Sequence, residues 1–430
     1  MDQTVKNALG PQANPRMPAE AEAESEEPPS TRAAPRRRTR AASAGQTIPH
    51  PSLDQVQTAA RSRTARGQTA ASTRRTVRVA VQTLEDVRQA PWRVPDVGDV
   101  EVVVLYSLAL GLERGRSEDR LADQETASVA MDIATALEGH VRATHRVPVW
   151  DDLPMVLRQF DPRRHVIFNL VESLGGRAFT EPEAARIFES MGFIHTGTDF
   201  RSLARSANKL TTKKLLEAAG LPTPRYQVVR TLTQRRFTVP LPAIVKPVAE
   251  GGSFGVTLDS LARDEHELAE RVRDCLEVYR QPALAEEYIA GREINVALWG
   301  NARPTVLPVS EILFNWTSDP LKQFVTFDSK WVADSVEYVG TPGVCPAALT
   351  PEEQARVETA AVMAYQALGF RGFGRVDMRL KDGHPHILEV NANPDLAADA
   401  GFYRSASAAG FSYSEMALHI LQLAIDAHSA

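Results

Sequence analysis

Val100-Glu-Val-Val-Val-Leu-Tyr106 is an almost unbroken apolar run of strand length, the pattern of a strand covered on both faces. The spacing turns helical over Ala127 to Leu137 and returns to a buried-strand run at Val166-Ile-Phe-Asn-Leu-Val171. A second helical stretch, Glu181 to Met191, then leads to a glycine turn at Thr196-Gly-Thr198. Strands alternating with helices predict a three-layer α/β unit. Ser206 to Ala219 reads as one helix stopped by Gly220 and Pro222. Leu241-Pro-Ala-Ile-Val-Lys-Pro247 reads as a strand, and Glu250-Gly-Gly-Ser-Phe-Gly-Val256 as a glycine loop leading into another. Near the C-terminus, Arg375 to Leu380 and His386 to Asn391 alternate with period two around the turn signal Asp382-Gly383, which predicts an antiparallel hairpin. No internal repeat is found.

Residues 1–75 break this texture, being Ala, Pro, Ser, Thr, Gln, Arg and Glu with almost no large apolar side chains. Such a stretch buries too little apolar surface to offset its ordering entropy, and disorder is expected. Its acidic patch, Glu20 to Glu27, precedes an Arg-rich one that includes Arg36, Arg37, Arg38 and Arg40. Two readings stand side by side: a polybasic arm making weak contact with nucleic acid, and a solvated tail.

The 430 residues, 43% hydrophobic and 24% charged, leave room for two or three domains besides that tail. A net charge of -5 argues against a chain devoted to nucleic acid. Two cysteines are too few for a disulfide framework, and no apolar run has the length of a membrane span or the place of a signal peptide. A cytoplasmic protein without membrane partners is the expectation.

The candidate chemistry lies in three places. Gly251, Gly252, Ser253 and Phe254 form a loop whose amides can turn towards phosphate, although a plain hairpin turn explains the glycines as well. Lys246 ends the strand just upstream, and Lys209 opens the helix before it, either as a phosphate contact or on a solvated helix face. In the hairpin, alternation puts Arg375 and Asp377 on the face opposite Val376, Met378 and Leu380, and Glu389 and Asn391 opposite Leu388 and Val390. If the polar faces coincide, Asp377, Glu389 and Asn391 offer hard oxygen donors suited to Mg²⁺ at a nucleotide site. A solvent-exposed face of charged pairs is the alternative.

These segments, in this order, resemble the ATP-grasp superfamily, and most closely its D-alanine–D-alanine ligase branch. The resemblance is carried by Asn208-Lys-Leu210, Leu221-Pro-Thr-Pro224, Ile244-Val-Lys-Pro247, Glu250 to Val256, Glu286-Glu-Tyr-Ile-Ala-Gly-Arg-Glu293, Gly374-Arg-Val-Asp377 and Leu388-Glu-Val-Asn391, and it spans residues 98 to 428. It implies an α/β ATP-grasp fold behind the tail, with an N-terminal α/β domain over 76–205, a central lid domain over 206–284 and a C-terminal catalytic domain over 285–430. It further implies ATP and Mg²⁺ (or Mn²⁺), small amino-acid or carboxylate and amine substrates, an acyl-phosphate route to an amide, and a homodimer. By the same resemblance Lys209 and Lys246 contact phosphates and Gly251 to Phe254 cover them. Glu286, Glu287, Tyr288 and Ile289 form the adenine hinge, and Glu293 holds the ribose. Asp377, Glu389 and Asn391 hold metal, Arg375 lies at the transferred phosphoryl group, and Lys330 comes from a covering loop.

The substrate half departs from the family pattern. Glu172 stands near the place of the family's histidine, Asp395 replaces a glycine, and the later serine is missing. The acid that anchors the first substrate is blurred within Arg116 to Glu125, with Asp123 and then Glu125 the nearest matches. Each of these acids has an ordinary structural role open to it, as an N-cap or a surface residue. Altered amino-acid specificity is therefore expected, and an ATP-binding regulatory or scaffolding protein without ligation is the competing reading.

Overall fold

The structure is a computed structural model. It describes residues 97–429 except 109, 112–119, 178–179 and 235, and the backbone but not the side chains of 120–125. The tail over 1–75, the stretch around Arg116, and the side chains of Asp123 and Glu125 thus lie outside the described residues.

Strands β1 (Glu101–Ser107), β2 (Ala143–Val149), β3 (His165–Leu170) and β4 (Ile194–His195) form a parallel sheet in the order β2-β1-β3-β4. Val102 to Leu105 and Ile167 to Phe168 are fully buried, as the unbroken apolar runs require of strands covered on both faces. Helices Arg120–Leu137 and Glu181–Ser190 connect the strands.

The expected helix over 206–219 is instead two pieces, Phe200–Ser206 and Lys209–Ala218. Asn208 is extended between them, and its side chain accepts the Thr211 amide at 3.0 Å. An N-cap here satisfies donors that a continuous helix would use internally, so the chain turns before Lys209.

Strands β5 (Tyr226–Val229), β6 (Ala243–Pro247), β7 (Leu261–Ala262) and β8 (Ala283–Glu287) make an antiparallel sheet in the order β5-β8-β6-β7. Helix Glu265–Val278 packs on it around Val245, Leu268, Val272 and Ala285, a small core separate from the main one. The glycine loop passes through a 3-10 turn, Leu258–Ser260, before reaching only the two-residue β7. Strand β8 runs across residues 284 and 285, where the family resemblance put a domain boundary.

A third sheet contains β9 (Arg292–Trp299), β10 (Thr305–Val306), β11 (Ser310–Ile312), β12 (Gly343–Val344), β13 (Phe373–Lys381) and β14 (His384–Asn391), in the order β12-β11-β9-β13-β14 with β10 on β9. Asp382 and Gly383 both have positive φ, 51° and 70°, which fits the tight turn read from Asp-Gly. The polar faces of the hairpin coincide, since Asp377 pairs with Glu389 and Arg375 with Asn391.

One expectation about this hairpin needs correcting. The register slips between Asp377 and Met378, so that Met378 pairs with Ile387 and Leu388 is the extra residue. A bulge breaks alternation, and Ile387 and Val390 enter the core while Leu388 lines a cavity. The same core takes in Val103, Leu105 and Ile167 from the first sheet and Val296 and Val376 from the third.

No helix among the described residues is long and apolar enough to cross a membrane. Gly197 (φ +86°) lies under the loop after β14, where an added Cβ would come within 2.4 Å of Asn393 Oδ1. Gly197→Ala is expected to strain both segments and lower Tm; an unchanged melting curve would show that the loop yields freely.

Candidate functional site

A cavity of about 790 Å³ opens where the three sheets meet, lined by Asn169 to Ser173 at the end of β3 and just beyond it, the glycine loop, β8, β9, the hairpin and the loop after it. It lies at the carboxyl end of the parallel strands, where open α/β sheets place ligands. Ser107, at the end of β1, accepts the amides of Glu172 and Ser173 at 3.0 Å each and so shapes that rim.

Lys209 is not on a solvated face. Its side chain is 12% exposed, pairs with Glu389 and donates to the Glu250 carbonyl at 2.6 Å. Lys246 reaches Glu286 at 3.2 Å. Glu286 also pairs with Lys213, a residue passed over in the sequence although it lies four positions after Lys209, on the same helical face. Lys213 is fully buried and donates to Thr223 Oγ1 at 2.6 Å. Burial pulls its pKa down to about 8, with Lys246 adding to the fall and Glu286 opposing it. Burial alone would raise Glu286, but Lys213 and Lys246 outweigh it and hold its carboxyl ionised.

On β13, Arg375 grips Asp377 with two bonds of 2.7 and 2.8 Å, and Asn295 and Asn391 add donors at 2.8 and 2.7 Å. Burial would raise Glu389, yet Lys209, Lys246 and Arg375 bring its carboxyl down to about 2. Asp377, Glu389 and Asn391 therefore gather beside Arg375, Lys209 and Lys246, and their face lines the cavity instead of facing bulk solvent. Burial works against the charge on Arg375, but Asp377 overrides it and raises its pKa.

The stretch expected to be a hinge divides its duties. The amides of Glu287 and Tyr288 already donate to the Arg225 and Pro242 carbonyls at 2.8 and 2.9 Å. The Glu287 carboxylate pairs with the exposed Arg225, and the Ile289 carbonyl accepts from Arg379 at 2.9 Å. Glu293 is buried against Arg379 at 2.7 Å. Arg379 follows Asp377 by two on the same strand, so alternation alone would have placed it on this face.

The glycine loop is held in left-handed conformations at Gly252, Ser253 and Gly255; for Ser253 this is a strained state, of the kind found at ligand-gripping loops. Lys330 is in the short helix Phe327–Trp331, with Nζ 4.4 Å from the Trp331 ring. Trp331, which the sequence reading omitted, donates from its indole to the Gly252 carbonyl at 2.7 Å, and the Phe327 amide donates to the Val256 carbonyl at 2.7 Å. These two bonds tie the loops together across one wall.

At the other end, Glu172 and Asp395 both line the cavity. Asp395 accepts the Ala397 amide at 2.9 Å and adds to the charge field on Arg375, so it turns the loop and faces the site at once. Arg177, Asp399 and Arg404 line this end too, making its charge mixed. Glu181, first residue of its helix, accepts from Asn393 Nδ2 at 2.9 Å. Burial pushes its carboxyl up to about 7, with the Asn393 bond opposing.

The family model described as "D-ala D-ala ligase C-terminus" matches residues 215–422. A D-alanine–D-alanine ligase of Methylibium petroleiphilum is 33% identical over 290 residues, 62% of this chain and 85% of that protein. One of Desulforudis audaxviator is 34% identical over 247 residues, 55% and 75% of the two. An uncharacterised protein of Sinorhizobium fredii is 33% identical over 261 residues, 60% and 74%. Among solved structures, the D-alanine–D-alanine ligase of Bacillus anthracis matches with a TM-score of 0.60 at 22% identity, covering 77% of this chain and 99% of that one. The VanG D-Ala:D-Ser ligase of Enterococcus faecalis gives 0.57 at 20%, covering 76% and 99%. These structural matches establish the fold.

Two outcomes follow from the geometry. Trp331→Phe keeps the ring beside Lys330 and removes the bond to Gly252, so limited proteolysis within 326–331 should quicken while global Tm barely moves. For Glu181, a carboxyl near 4.5 when unfolded and about 7 when folded stabilises the fold below the lower value and loses that contribution as pH rises through the higher. Glu181→Gln is neutral throughout, so its Tm should gain on wild type between about pH 5 and pH 8; a pH-independent gap would refute the shift.

Proposed function

The chain belongs to the D-alanine–D-alanine ligase family, and from that premise we propose that it is an ATP-dependent carboxylate–amine ligase that forms an amide through an acyl phosphate, with amino-acid selectivity of its own. The observation that carries this reading is the convergence of Lys209, Lys246, Arg375, Asp377, Glu389 and Asn391 in one cavity.

Asp377, Glu389 and Asn391 present hard oxygen atoms from facing positions of one hairpin, a donor set that fits Mg²⁺ or Mn²⁺ carried with a nucleotide. Bound there, the ion would supply charge neutralisation at the transferred phosphoryl group. Lys209 and Lys246 meet the ATP phosphates from two directions, and the amides of Gly251 to Phe254 cover them. Adenine lies against the Glu286 to Ile289 segment and ribose towards Glu293. A substrate carboxylate attacks the terminal phosphorus, ADP leaves, and Arg375 faces the charge that develops. An amine then attacks the acyl carbon, loses its proton, and expels phosphate to leave the amide. Lys330, Trp331 and the glycine loop close the wall and keep water from the acyl phosphate.

Selectivity of its own is supported by the acids that replace family residues. Glu172 and Asp395 line the end where substrates meet the phosphoryl group, and a small apolar amino acid needs neither. Phosphate release by the full chain with Mg-ATP, screened over pairs of D- and L-amino acids and small carboxylates, tests this. Release is expected for particular pairs, and Arg375→Ala should lower it about 100-fold or more. Nucleotide binding without release for any pair, and no effect of Arg375→Ala, would replace the ligase with a nucleotide-binding regulatory protein.

A further inference from the structure

Glu101, His145 and His165 meet at the end of the first sheet that lies away from the cavity. Glu101 opens β1, His165 opens β3 and His145 is near the start of β2. In the parallel register His165 stands opposite Glu101, and His145 opposite Val103, two residues on. The three side chains therefore leave one face of the sheet. Ser107, which shapes the cavity rim, is at the other end of β1, ~20 Å away at ~3.3 Å per residue.

Glu101 Oε2 lies 3.5 Å from His145 Nε2 and 3.2 Å from His165 Nε2, and one ligand atom from each residue fits within 4.8 Å of the other two. Donors set tetrahedrally around zinc at about 2.0–2.1 Å are about 3.3–3.4 Å apart. The two measured separations match that spacing. His145 Nε2 is buried and makes no hydrogen bond. His165 Nδ1 is 2.9 Å from the Asp161 carbonyl and 3.2 Å from the Asp161 amide. Donation to the nearer carbonyl leaves the Nε2 lone pair facing Glu101, which is how metal-bound imidazoles are held.

The surroundings fit the same chemistry. Arg164 and Arg142 take the other carboxylate oxygen, Oε1, at 2.7 and 3.8 Å, so the carboxylate is oriented while Oε2 is left to the imidazoles. Phe160 flanks both histidines, its ring centroid 5.8 Å from that of His145 and 5.2 Å from that of His165. An apolar wall of this kind limits the access of water to a bound ion.

We propose that Glu101, His145 and His165 bind a divalent transition-metal ion of the zinc class, with a fourth position for water, and that the ion pins the edge strand β2 to β1 and β3. Imidazole sets the class: Mg²⁺ takes oxygen donors such as those on the hairpin, whereas two imidazoles with a carboxylate suit Zn²⁺. β2 lies at the edge of the sheet and pairs only with β1, so a clip across three strands acts where the sheet is least held. The site is structural and does not depend on the ligase reading.

The test uses the full chain, stripped of metal by a chelator and exchanged into excess Mg²⁺, which competes for hard oxygen donors and not for imidazole. Zn²⁺ is titrated against a chromophoric chelator, Co²⁺ is read by its visible absorption, and melting is followed alongside. Wild type is expected to bind Zn²⁺, to show the intense bands of four-coordinate Co²⁺ and to melt higher with Zn²⁺. His145→Ala, at a side chain 40% exposed, should keep the metal-free Tm, lose the Co²⁺ bands and the Zn²⁺-dependent rise, and bind Zn²⁺ at least about 10-fold more weakly. Glu101→Gln, which retains an oxygen for Arg164, should lose affinity in the same way, and it decides the matter should His145→Ala melt low without metal. A wild type that takes no Zn²⁺ under these conditions would reduce the cluster to an ion-pair group and overturn the proposal. So would Zn²⁺ binding that neither variant weakens, since the ion would then sit elsewhere.

Discussion

The constraint on which the rest of the cavity depends is the cost of holding many charges out of water at once. Lys213 is fully buried, Glu286 and Asp377 nearly so, and Arg375 and Lys209 have little exposure. Each has a partner of opposite charge: Lys213 and Lys246 share Glu286, Lys209 takes Glu389, and Arg375 takes Asp377 in a two-bond grip. Leaving one member of such a pair buried alone costs about 3–5 kcal/mol. The network therefore holds these side chains in place, all but Lys213 along the cavity wall.

Beside this network lies a wall of looser construction. The sheet β5-β8-β6-β7 and its helix have their own small core, whereas the first and third sheets share a continuous one. Between the two, the glycine loop and the Phe327–Trp331 helix meet through few bonds, chiefly Trp331 to Gly252 and Phe327 to Val256. A unit with its own core can shift as a body, and a seam of few bonds can open at modest cost. The proposed acyl-phosphate route, in which water must stay out and product must leave, would use both properties.

Much of this site was legible because its residues sit on regular elements. Period-two alternation put Arg375 with Asp377 on one face of the first strand and Glu389 with Asn391 on one face of the second, and Asp382-Gly383 marked the turn; that the two polar faces coincide is what the pairing in the structure adds. The bulge at Leu388 was not legible: an extra residue in one strand leaves no mark in a hydrophobic pattern that tolerates either Ile387 or Leu388 in the core. Lys213 and Arg379 carried a signal, four residues from Lys209 and two from Asp377, but a buried cation is recognised only when its partner is seen.

The sequence by itself determined the alternation of strands and helices, the hairpin, and the set of cations and oxygen donors, because side-chain period and turn chemistry are local. Only the tertiary structure decided which charges meet. Glu286 and Lys213 are far apart along the chain, as are Glu389 and Lys209, and no periodicity links them. The same holds for Glu181 and Asn393, 212 residues apart. Whether a carboxyl is neutralised depends on what the fold packs against it, and for Glu181 the fold brings, among the described residues, one neutral amide beside an open cavity.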